Sequence, residues 1–191
     1  MKRIVVLNGS PRPQGKVSRL LQEVMKALPA EAQVKYVAVS ELQFRPCIGC
    51  MRCRSLKRCV LPKDDAHRIA DSLRRADGLV IGSPCYWGNM SGSLKQLFDR
   101  TVYALMGEKP NGLPQPLHKG KKAVLVASCN TAYPFSVWFG QLSGVFRSLR
   151  EILRWSGYRV VGRVGHSGAR NRNELSQREI EKCQKIAKKI C

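Results

Sequence analysis

The sequence has no long hydrophobic run. None of its 191 residues belong to a stretch that approaches the roughly 18 apolar residues of a membrane span. The apolar run within residues 1–10 (MKRIVVLNGS) is too short for a signal peptide, and no small-residue cleavage site follows it. We therefore expect a soluble, cytoplasmic protein that makes no use of a membrane and whose thiols are kept reduced.

Acidic residues are scarce. The chain has 13 of them against 34 lysines and arginines, which gives a formal net charge of +21. Such a charge raises the hypothesis of nucleic-acid binding. However, the basic residues are spread over the whole chain, and no helix-turn-helix, zinc-finger or RNA-binding signature accompanies them. We therefore do not expect nucleic acid as the primary partner, and favour acidic proteins or phosphorylated cofactors.

Histidine is also scarce, and the two common nucleotide-binding motifs are absent. The three histidines, His67, His118 and His166, have no ligand-spaced partner and no Ser/Asp set, which argues against a hydrolytic triad. We expect His67 and His166 at the surface. The chain contains neither G-x-x-x-x-G-K-[ST] nor G-x-G-x-x-G, so the P-loop and dinucleotide-fold fingerprints do not apply.

Short β-branched runs alternate with helical patterns along the whole chain. The runs predict five buried strands at residues 3–8, 34–39, 78–81, 123–127 and 158–164. Apolar residues at helical spacing predict helices within residues 17–28, 64–75, 94–102, 145–155 and 174–190. This alternation predicts an α/β fold with a parallel sheet covered on both sides. We expect one domain over residues 1–191.

Three segments do not fit this minimal pattern: residues 40–63, 107–121 and 129–143. Long loops inside a compact domain tend to be functional. In a doubly wound sheet, ligands bind beyond the carboxyl ends of the strands. The loops that follow the strands are therefore the candidate sites.

The loop after the first strand reads Gly-Ser-Pro-Arg-Pro-Gln-Gly-Lys-Val-Ser, residues 9–18. Its glycines permit tight turns, and its hydroxyl and cationic side chains precede a helix N-terminus with unpaired N–H groups. These features predict a phosphate site. A basic loop with an ordinary serine cap is the alternative.

The loop after the third strand reads Ser-Pro-Cys-Tyr-Trp-Gly-Asn-Met-Ser, residues 83–91. Pro84, Tyr86 and Trp87 offer flat apolar surfaces for a heteroaromatic ring, and Gly88 lets the backbone approach closely. The alternative is an aromatic pair of the core at a turn. The surrounding Ser, Pro, Gly and Asn residues fit that alternative less well.

Together, Gly-Ser-Pro-Arg-x-x-Gly-x-x-Ser and Gly-Ser-Pro-x-Tyr-Trp-Gly-x-Met-Ser resemble the NADPH-dependent FMN reductase and iron–sulfur flavoprotein group of the flavodoxin-like fold. The resemblance covers residues 2 to about 103 and continues more loosely to 164. It implies a five-stranded sheet of order 2-1-3-4-5 in a three-layer α/β/α arrangement. It also implies bound FMN. The phosphate would lie against Ser10, Arg12, Lys16, Val17 and Ser18, and the ring against Pro84, Cys85, Tyr86, Trp87, Gly88 and Asn89.

Two further cofactor contacts follow from position alone. Ser128 and Asn130 come directly after the fourth strand, where they would border the far edge of the ring. The family position of Cys85 is usually aliphatic, so we interpret its thiol as a small buried hydrophobe.

Four of the eight cysteines form a C-x2-C-x2-C-x5-C run: Cys47, Cys50, Cys53 and Cys59. Thiolates prefer zinc or iron–sulfur clusters. Zinc sites usually pair two short units across a longer gap, whereas this compact run is closer to bacterial ferredoxins. The resemblance to iron–sulfur flavoproteins implies a [4Fe-4S] cluster, and zinc and free thiols remain alternatives. Cys183 and Cys191, at the terminal helix, are interpreted as incidental.

The predicted function is an FMN-dependent oxidoreductase with a [4Fe-4S] cluster. It would move electrons from a reduced donor, NAD(P)H or ferredoxin, to an acceptor. One alternative is a cluster-free NAD(P)H:FMN or quinone reductase, and another is an electron-transfer flavoprotein without a small-molecule substrate. The resemblance implies a homodimer or homotetramer.

Overall fold

A computed structural model describes residues 1–190, and Cys191 lies outside the described part. Five parallel strands form one sheet: β1 (Arg3–Asn8), β2 (Gln33–Ala38), β3 (Gly78–Pro84), β6 (Lys122–Ser128) and β7 (Arg159–His166). Their order across the sheet is β2-β1-β3-β6-β7. This is the predicted 2-1-3-4-5 once the two strands of a separate hairpin are left out.

Helices cover both faces of the sheet, which confirms the three-layer prediction. On one face lie α1 (Lys16–Lys26) and α7 (Gln177–Ile190), and on the other lie α3 (Asp65–Arg75), α4 (Gly92–Leu105) and α6 (Gln141–Ser156). Among residues 1–190, none of the helices combines the length and apolar character that crossing a bilayer would take.

The central strands are buried on both faces, as their β-branched composition predicts. Six of the seven residues of β3 are buried. A Cβ on Gly82 would lie 2.7 Å from Val17 Cγ1 and from Leu21 Cδ1. The absence of a side chain at Gly82 therefore lets α1 pack directly on β3. This packing places the first turn of α1 at the carboxyl ends of the strands.

The three segments predicted as loops contain short elements. Residues 40–63 hold the end of a 3₁₀ turn (Val39–Glu41) and the one-turn helix α2 (Cys53–Leu56). Residues 107–121 overlap a two-stranded antiparallel hairpin of β4 (Met106–Glu108) and β5 (Pro114–Pro116). Residues 129–143 contain α5 (Phe135–Trp138) and the first turn of α6.

The histidines are less exposed than the sequence predicts. His166 is fully buried, and its Nδ1 lies 3.0 Å from Glu179 Oε1. His118 is buried and stacks on Tyr158. His67 is partly buried because it closes the capping box of α3 with Asp64. The prediction of surface positions for His67 and His166 was therefore wrong, because each imidazole lies within hydrogen-bond distance of a carboxylate, that of Asp64 in the same helix cap and that of Glu179 on α7.

Candidate functional site

Backbone hydrogen bonds bring the predicted loops to one edge of the sheet. The N–H of Gly9 donates to the Gly82 carbonyl oxygen at 2.8 Å, which joins the loops after β1 and β3. The N–H of Cys85 donates to the Ser128 carbonyl oxygen at 2.7 Å, which joins the loops after β3 and β6. The three loops therefore form a continuous surface at the carboxyl ends of the strands, where doubly wound sheets bind ligands.

The first turn of α1 offers donors for an anion. The N-cap residue Gly15 provides no side-chain hydrogen bond, and the first turn holds no acidic residue. The first N–H groups of a helix lack intrahelical partners and carry the positive end of its dipole. This helix N-terminus is therefore free to bind a phosphate.

A buried asparagine anchors the two serines of this loop. The amide nitrogen of Asn8 donates to Ser18 Oγ at 2.9 Å, and Asn8 Oδ1 accepts from the Ser10 N–H at 3.0 Å. Ser18 Oγ in turn donates to the Arg12 carbonyl oxygen at 2.8 Å. Sequence reasoning missed Asn8, although a polar residue that ends a buried strand just before Gly-Ser was the available signal.

The other residues predicted to contact the phosphate differ from one another in burial and in hydrogen-bond partners. The side chain of Val17 is buried in the core, so only its backbone faces the loop. The Lys16 ammonium donates to the Asn173 carbonyl oxygen, which links the loop to the segment before α7. Arg12 is exposed.

The turn after β3 presents the predicted ring-binding side chains. Tyr86 and Asn89 exchange two backbone hydrogen bonds of 3.0 and 2.9 Å across a tight turn. Trp87 and Gly88 at its tip have φ angles of 52° and 70°. A left-handed tryptophan is rare and marks a constrained site. The indole of Trp87 is fully exposed, and Tyr86 is half-exposed, so both rings are available to a ligand.

The remaining predicted contacts of the ring lie around this turn. Cys85 is half-buried, and its Sγ lies 3.3 Å from both the carbonyl oxygen and Oε1 of Gln141. Burial raises the pKa of the Cys85 thiol, which agrees with an uncharged packing role. Ser128 is buried and Asn130 is exposed beside it.

Exposed aromatic side chains continue the same surface. The loop after β6 carries four of them, which is unusual because large rings prefer burial. They are Tyr133, Phe135, Trp138 and Phe139, each between 49% and 77% exposed. Phe139 and Trp87 line the same groove. Exposed apolar surfaces of this kind mark ligand-binding grooves and protein–protein interfaces.

Helix α6 supports the turn from behind. A Cβ on Gly144 would lie 1.9 Å from the Gly88 carbonyl oxygen. No side chain fits at that distance, so Gly144 is required for the observed position of the turn. Sequence reasoning missed this contact because it joins residues that are far apart in the chain.

The cysteine loop has an unusual backbone. Gly49, Met51 and Lys57 have φ angles of 67°, 58° and 54°. Left-handed Met and Lys residues are costly and cluster at functional sites. Cys47 and Cys50 are exposed, while Cys53 and Cys59 are half-buried. The N–H of Gly49 donates to Cys47 Sγ at 3.4 Å.

Partial burial raises the pKa of the Cys53 thiol, and the negative charges of Cys47, Cys59 and Cys50 raise it further. All four cysteines line one cavity, so a cation held among their thiolates would relieve the repulsion between them. The donor set thus fits a thiolate-bound metal group in its chemistry. Within residues 1–190, no three His, Cys, Asp or Glu side chains already stand in a metal-binding arrangement.

Both ends of the loop are fastened to the helices beneath it. The Gln43 N–H donates to Asp65 Oδ2 at 2.8 Å, and the Cys59 carbonyl oxygen lies 3.3 Å from His67 Nε2. Arg100 donates to both carboxylate oxygens of Asp64 at 2.9 and 3.0 Å and to the Arg45 carbonyl oxygen. Arg100 therefore connects the entrance of the loop to α3.

All four cysteines line one cavity of about 740 Å³. Its other walls are α4, the β4–β5 hairpin and the C-terminal half of α6, and they include Phe98, Tyr103 and Trp155. None of the loop residues 9–18 or 84–89 lines it. The cysteine loop lies along α4, where Arg100 donates to the Arg45 carbonyl oxygen at the loop's entrance.

Comparisons with known proteins agree with this fold. Residues 2–165 match the family model for NADPH-dependent FMN reductase. The iron-sulfur flavoprotein MJ1083 of Methanocaldococcus jannaschii is 34% identical over 100 residues, 52% of this chain and 51% of that protein. The match thus spans about half the length of that relative.

A second relative and a solved structure match along nearly the full chain. The iron-sulfur flavoprotein of Methanosarcina thermophila is 27% identical over 195 residues, 99% of this chain and 93% of that protein. The structure of an NAD(P)H:quinone oxidoreductase from Methanothermobacter marburgensis superimposes with a TM-score of 0.75 at 16% identity, covering 97% of this chain and 95% of that one. The structural match shows a shared fold. Since the family model covers most of the sequence, the chain belongs to the NADPH-dependent FMN reductase family of oxidoreductases.

Proposed function

We propose that this protein binds FMN at the carboxyl edge of its sheet and uses it to pass electrons from NAD(P)H or reduced ferredoxin to an acceptor. One observation carries the proposal: hydrogen bonds at Gly9 and Cys85 join the loop before an uncapped helix N-terminus to a turn with exposed aromatic rings. FMN carries a phosphate and a planar ring, and this surface offers a place for each.

When bound, FMN accepts a hydride from a nicotinamide donor and releases its electrons singly or in pairs. The residues of the chain bind and orient it. The first turn of α1, with Ser10 and Ser18, would hold the phosphate. Tyr86 and Trp87 would flank the ring. The aromatic residues of the loop after β6 would exclude water from its exposed edge.

We propose further that Cys47, Cys50, Cys53 and Cys59 hold a [4Fe-4S] cluster. Such a cluster supplies one-electron transfer. The position of all four cysteines in the lining of one cavity supports this ligand set, and so does the name of the Methanosarcina thermophila relative. Arg52, Arg54, Lys57 and Arg58 lie in the same segment and would offset the negative charge of the thiolates. The excess positive charge of the chain would favour an acidic carrier such as ferredoxin.

A cluster-free NAD(P)H:FMN or quinone reductase is the second candidate. It is favoured by the separate cavity of the cysteine loop, which shares no residue with loops 9–18 and 84–89. In that case the four cysteines would be free thiols, and flavin chemistry alone would supply the activity.

Anaerobic purification tests both proposals at once. We expect a flavin absorption spectrum with a superimposed iron–sulfur band, and iron and acid-labile sulfide near four of each per chain, as a [4Fe-4S] cluster requires. In a Cys53→Ser variant, the iron should be lost and the flavin kept, while Cys183→Ser is the matched control. A flavin spectrum without iron would leave the reductase, and a protein that cannot be loaded with FMN would refute the main proposal.

The expected cytoplasmic location, the single domain and the homodimer or homotetramer belong to the same proposal. Stopped-flow mixing with NADPH or reduced ferredoxin identifies the donor. Rapid bleaching of the flavin by NADPH supports a reductase, whereas bleaching by ferredoxin alone supports an electron-transfer flavoprotein.

A further inference from the structure

A groove between α6 and the edge strand β7 is lined by a cluster of arginines that have no role in the proposed function. Its volume is about 1310 Å³, and five arginines line it. Three lie on one side of α6, at spacings of three and four residues, and two lie on β7. They are Arg147, Arg150, Arg154, Arg159 and Arg163, and all are exposed.

These guanidinium groups have no carboxylate partner. Across residues 1–190, ion pairs engage Arg3, Arg19 and Arg68, among others, but none of the groove arginines. Arg154 and Arg163 stack instead on Trp155 and Phe146, with 5.6 and 5.5 Å between the guanidinium carbon and the ring centroid. Stacking on a ring face leaves the in-plane N–H donors of a guanidinium available.

Only one acidic side chain lines the groove, and it is already engaged. Glu151 Oε1 accepts from Trp155 Nε1 at 2.5 Å. Five cations against one carboxylate leave a strong local excess of positive charge. The groove is therefore suited to a ligand with several negative charges.

The groove begins at the proposed ring site. Trp87, Gly88 and Phe139 form its near end, and Gly144 packs directly against the Gly88 carbonyl. From Gly144 to Arg154 the helix axis advances about 15 Å. An extended ligand in the groove can thus have one end at the turn and its charged groups along the arginines.

We propose that this groove binds the phosphate groups of a 2′-phosphorylated nicotinamide dinucleotide, with the nicotinamide end toward the Trp87 turn. The proposal rests on the proposed function, because it places the flavin ring at that turn. A dinucleotide of this kind combines an aromatic end with a pyrophosphate and a 2′-phosphate. Arginine forks match phosphate oxygens in pairs. The number of arginines therefore favours NADPH over NADH.

The shape of the groove favours a small ligand over an acidic protein. A stable protein interface takes about 800 Å² from each partner. Here the arginines instead converge from a helix and a strand on a concave surface whose wall includes Gly144, Gly157 and Gly162. Glycine lets a ligand come close to the backbone.

Binding of adenosine 2′,5′-bisphosphate to FMN-free protein tests the site without flavin chemistry. The variant is Arg150→Gln with Arg154→Gln, and the control is Arg170→Gln with Arg178→Gln, two exposed arginines outside the groove. By calorimetry, the dissociation constant should rise at least tenfold in the groove variant and stay within twofold in the control. Melting temperatures of both should match the wild type.

Kinetics of the FMN-loaded protein give the second measurement. The KM for NADPH should rise at least tenfold in the groove variant with kcat retained, and the KM for NADH should change much less. No binding of the bisphosphate to the wild type, or equal binding to the groove variant, would overturn the proposal. A loss confined to the rate with reduced ferredoxin would overturn it too, and would assign the groove to an acidic protein. FMN titration of the wild type tests the proposed function separately.

Discussion

Arg100 and Asp64 form a two-point ion pair beneath the cysteine loop. Arg100 Nη1 and Nη2 donate to the two carboxylate oxygens of Asp64 at 2.9 and 3.0 Å. The Arg100 side chain is fully buried and that of Asp64 is 17% exposed. Asp64 also caps α3, and Arg100 also donates to the Arg45 carbonyl oxygen. The pair thus joins α3, α4 and the entrance of the cysteine loop.

Replacing Asp64 by Asn should destabilise the protein strongly. Asparagine retains the helix cap, but the buried Arg100 charge loses its counter-ion, which costs about 3–5 kcal/mol. The exposed pair of Lys95 and Asp99 (2.6 Å, 54% and 43% exposed) provides the control. Asp99→Asn should cost less than about 1 kcal/mol. Urea unfolding measures both, and equal losses would contradict the assigned role of the buried pair.

The Asp64 carboxylate should make the free energy of unfolding depend on pH. Burial alone would raise the pKa of Asp64, but hydrogen bonds from the Arg100 guanidinium more than offset this and lower it. A lowered pKa contributes stability that is complete above the unfolded value of about 3.9 and is lost as the pH falls through the folded value. Unfolding free energies measured between pH 6 and pH 2.5 should therefore fall less steeply in Asp64→Asn than in the wild type. Parallel curves would argue against the ion pair.

Substituting Gly144 should weaken FMN binding without unfolding the chain. A Cβ at Gly144 would overlap the Gly88 carbonyl, so Gly144→Ala must displace the Trp87 turn. We expect the FMN dissociation constant to rise at least about tenfold, which is about 1.4 kcal/mol. Gly92→Ala is a matched control, because a Cβ there meets nothing within 4 Å. Flavin fluorescence titration measures the FMN affinity of both variants. Equal affinities of Gly144→Ala and Gly92→Ala would show that the Trp87 turn does not contact FMN.

The sequence predicts the sheet well because its signals are local. Each buried strand is a short β-branched run, and each following loop carries its own Gly, Ser or Pro residues. Those signals are enough to place Ser10 and Trp87 at the carboxyl edge of the sheet. Loops that follow adjacent parallel strands meet at one edge of the sheet as a consequence of topology.

The features that the sequence does not predict depend on contacts between distant residues. His166 finds Glu179 only when α7 packs on the sheet, and Gly144 meets Gly88 only when α6 does. The course of the cysteine loop along α4 depends on the same kind of contact, because the buried Arg100 charge has its partners at Asp64 and Arg45.

Asn8 should affect binding of the phosphate more than binding of the ring. Asn8 is buried, and its side chain orients both Ser10 and Ser18, so Asn8→Ala would release both serines at a cost of about 1–3 kcal/mol. FMN affinity should fall by tenfold or more, while the affinity for riboflavin, which lacks the phosphate, should stay near the wild-type value. Tyr36→Phe is the control. It removes the Tyr36 hydroxyl that accepts from Asn8 at 2.7 Å but retains both serine contacts. A parallel loss for FMN and riboflavin would show that Asn8 supports the whole edge of the sheet and not the phosphate loop.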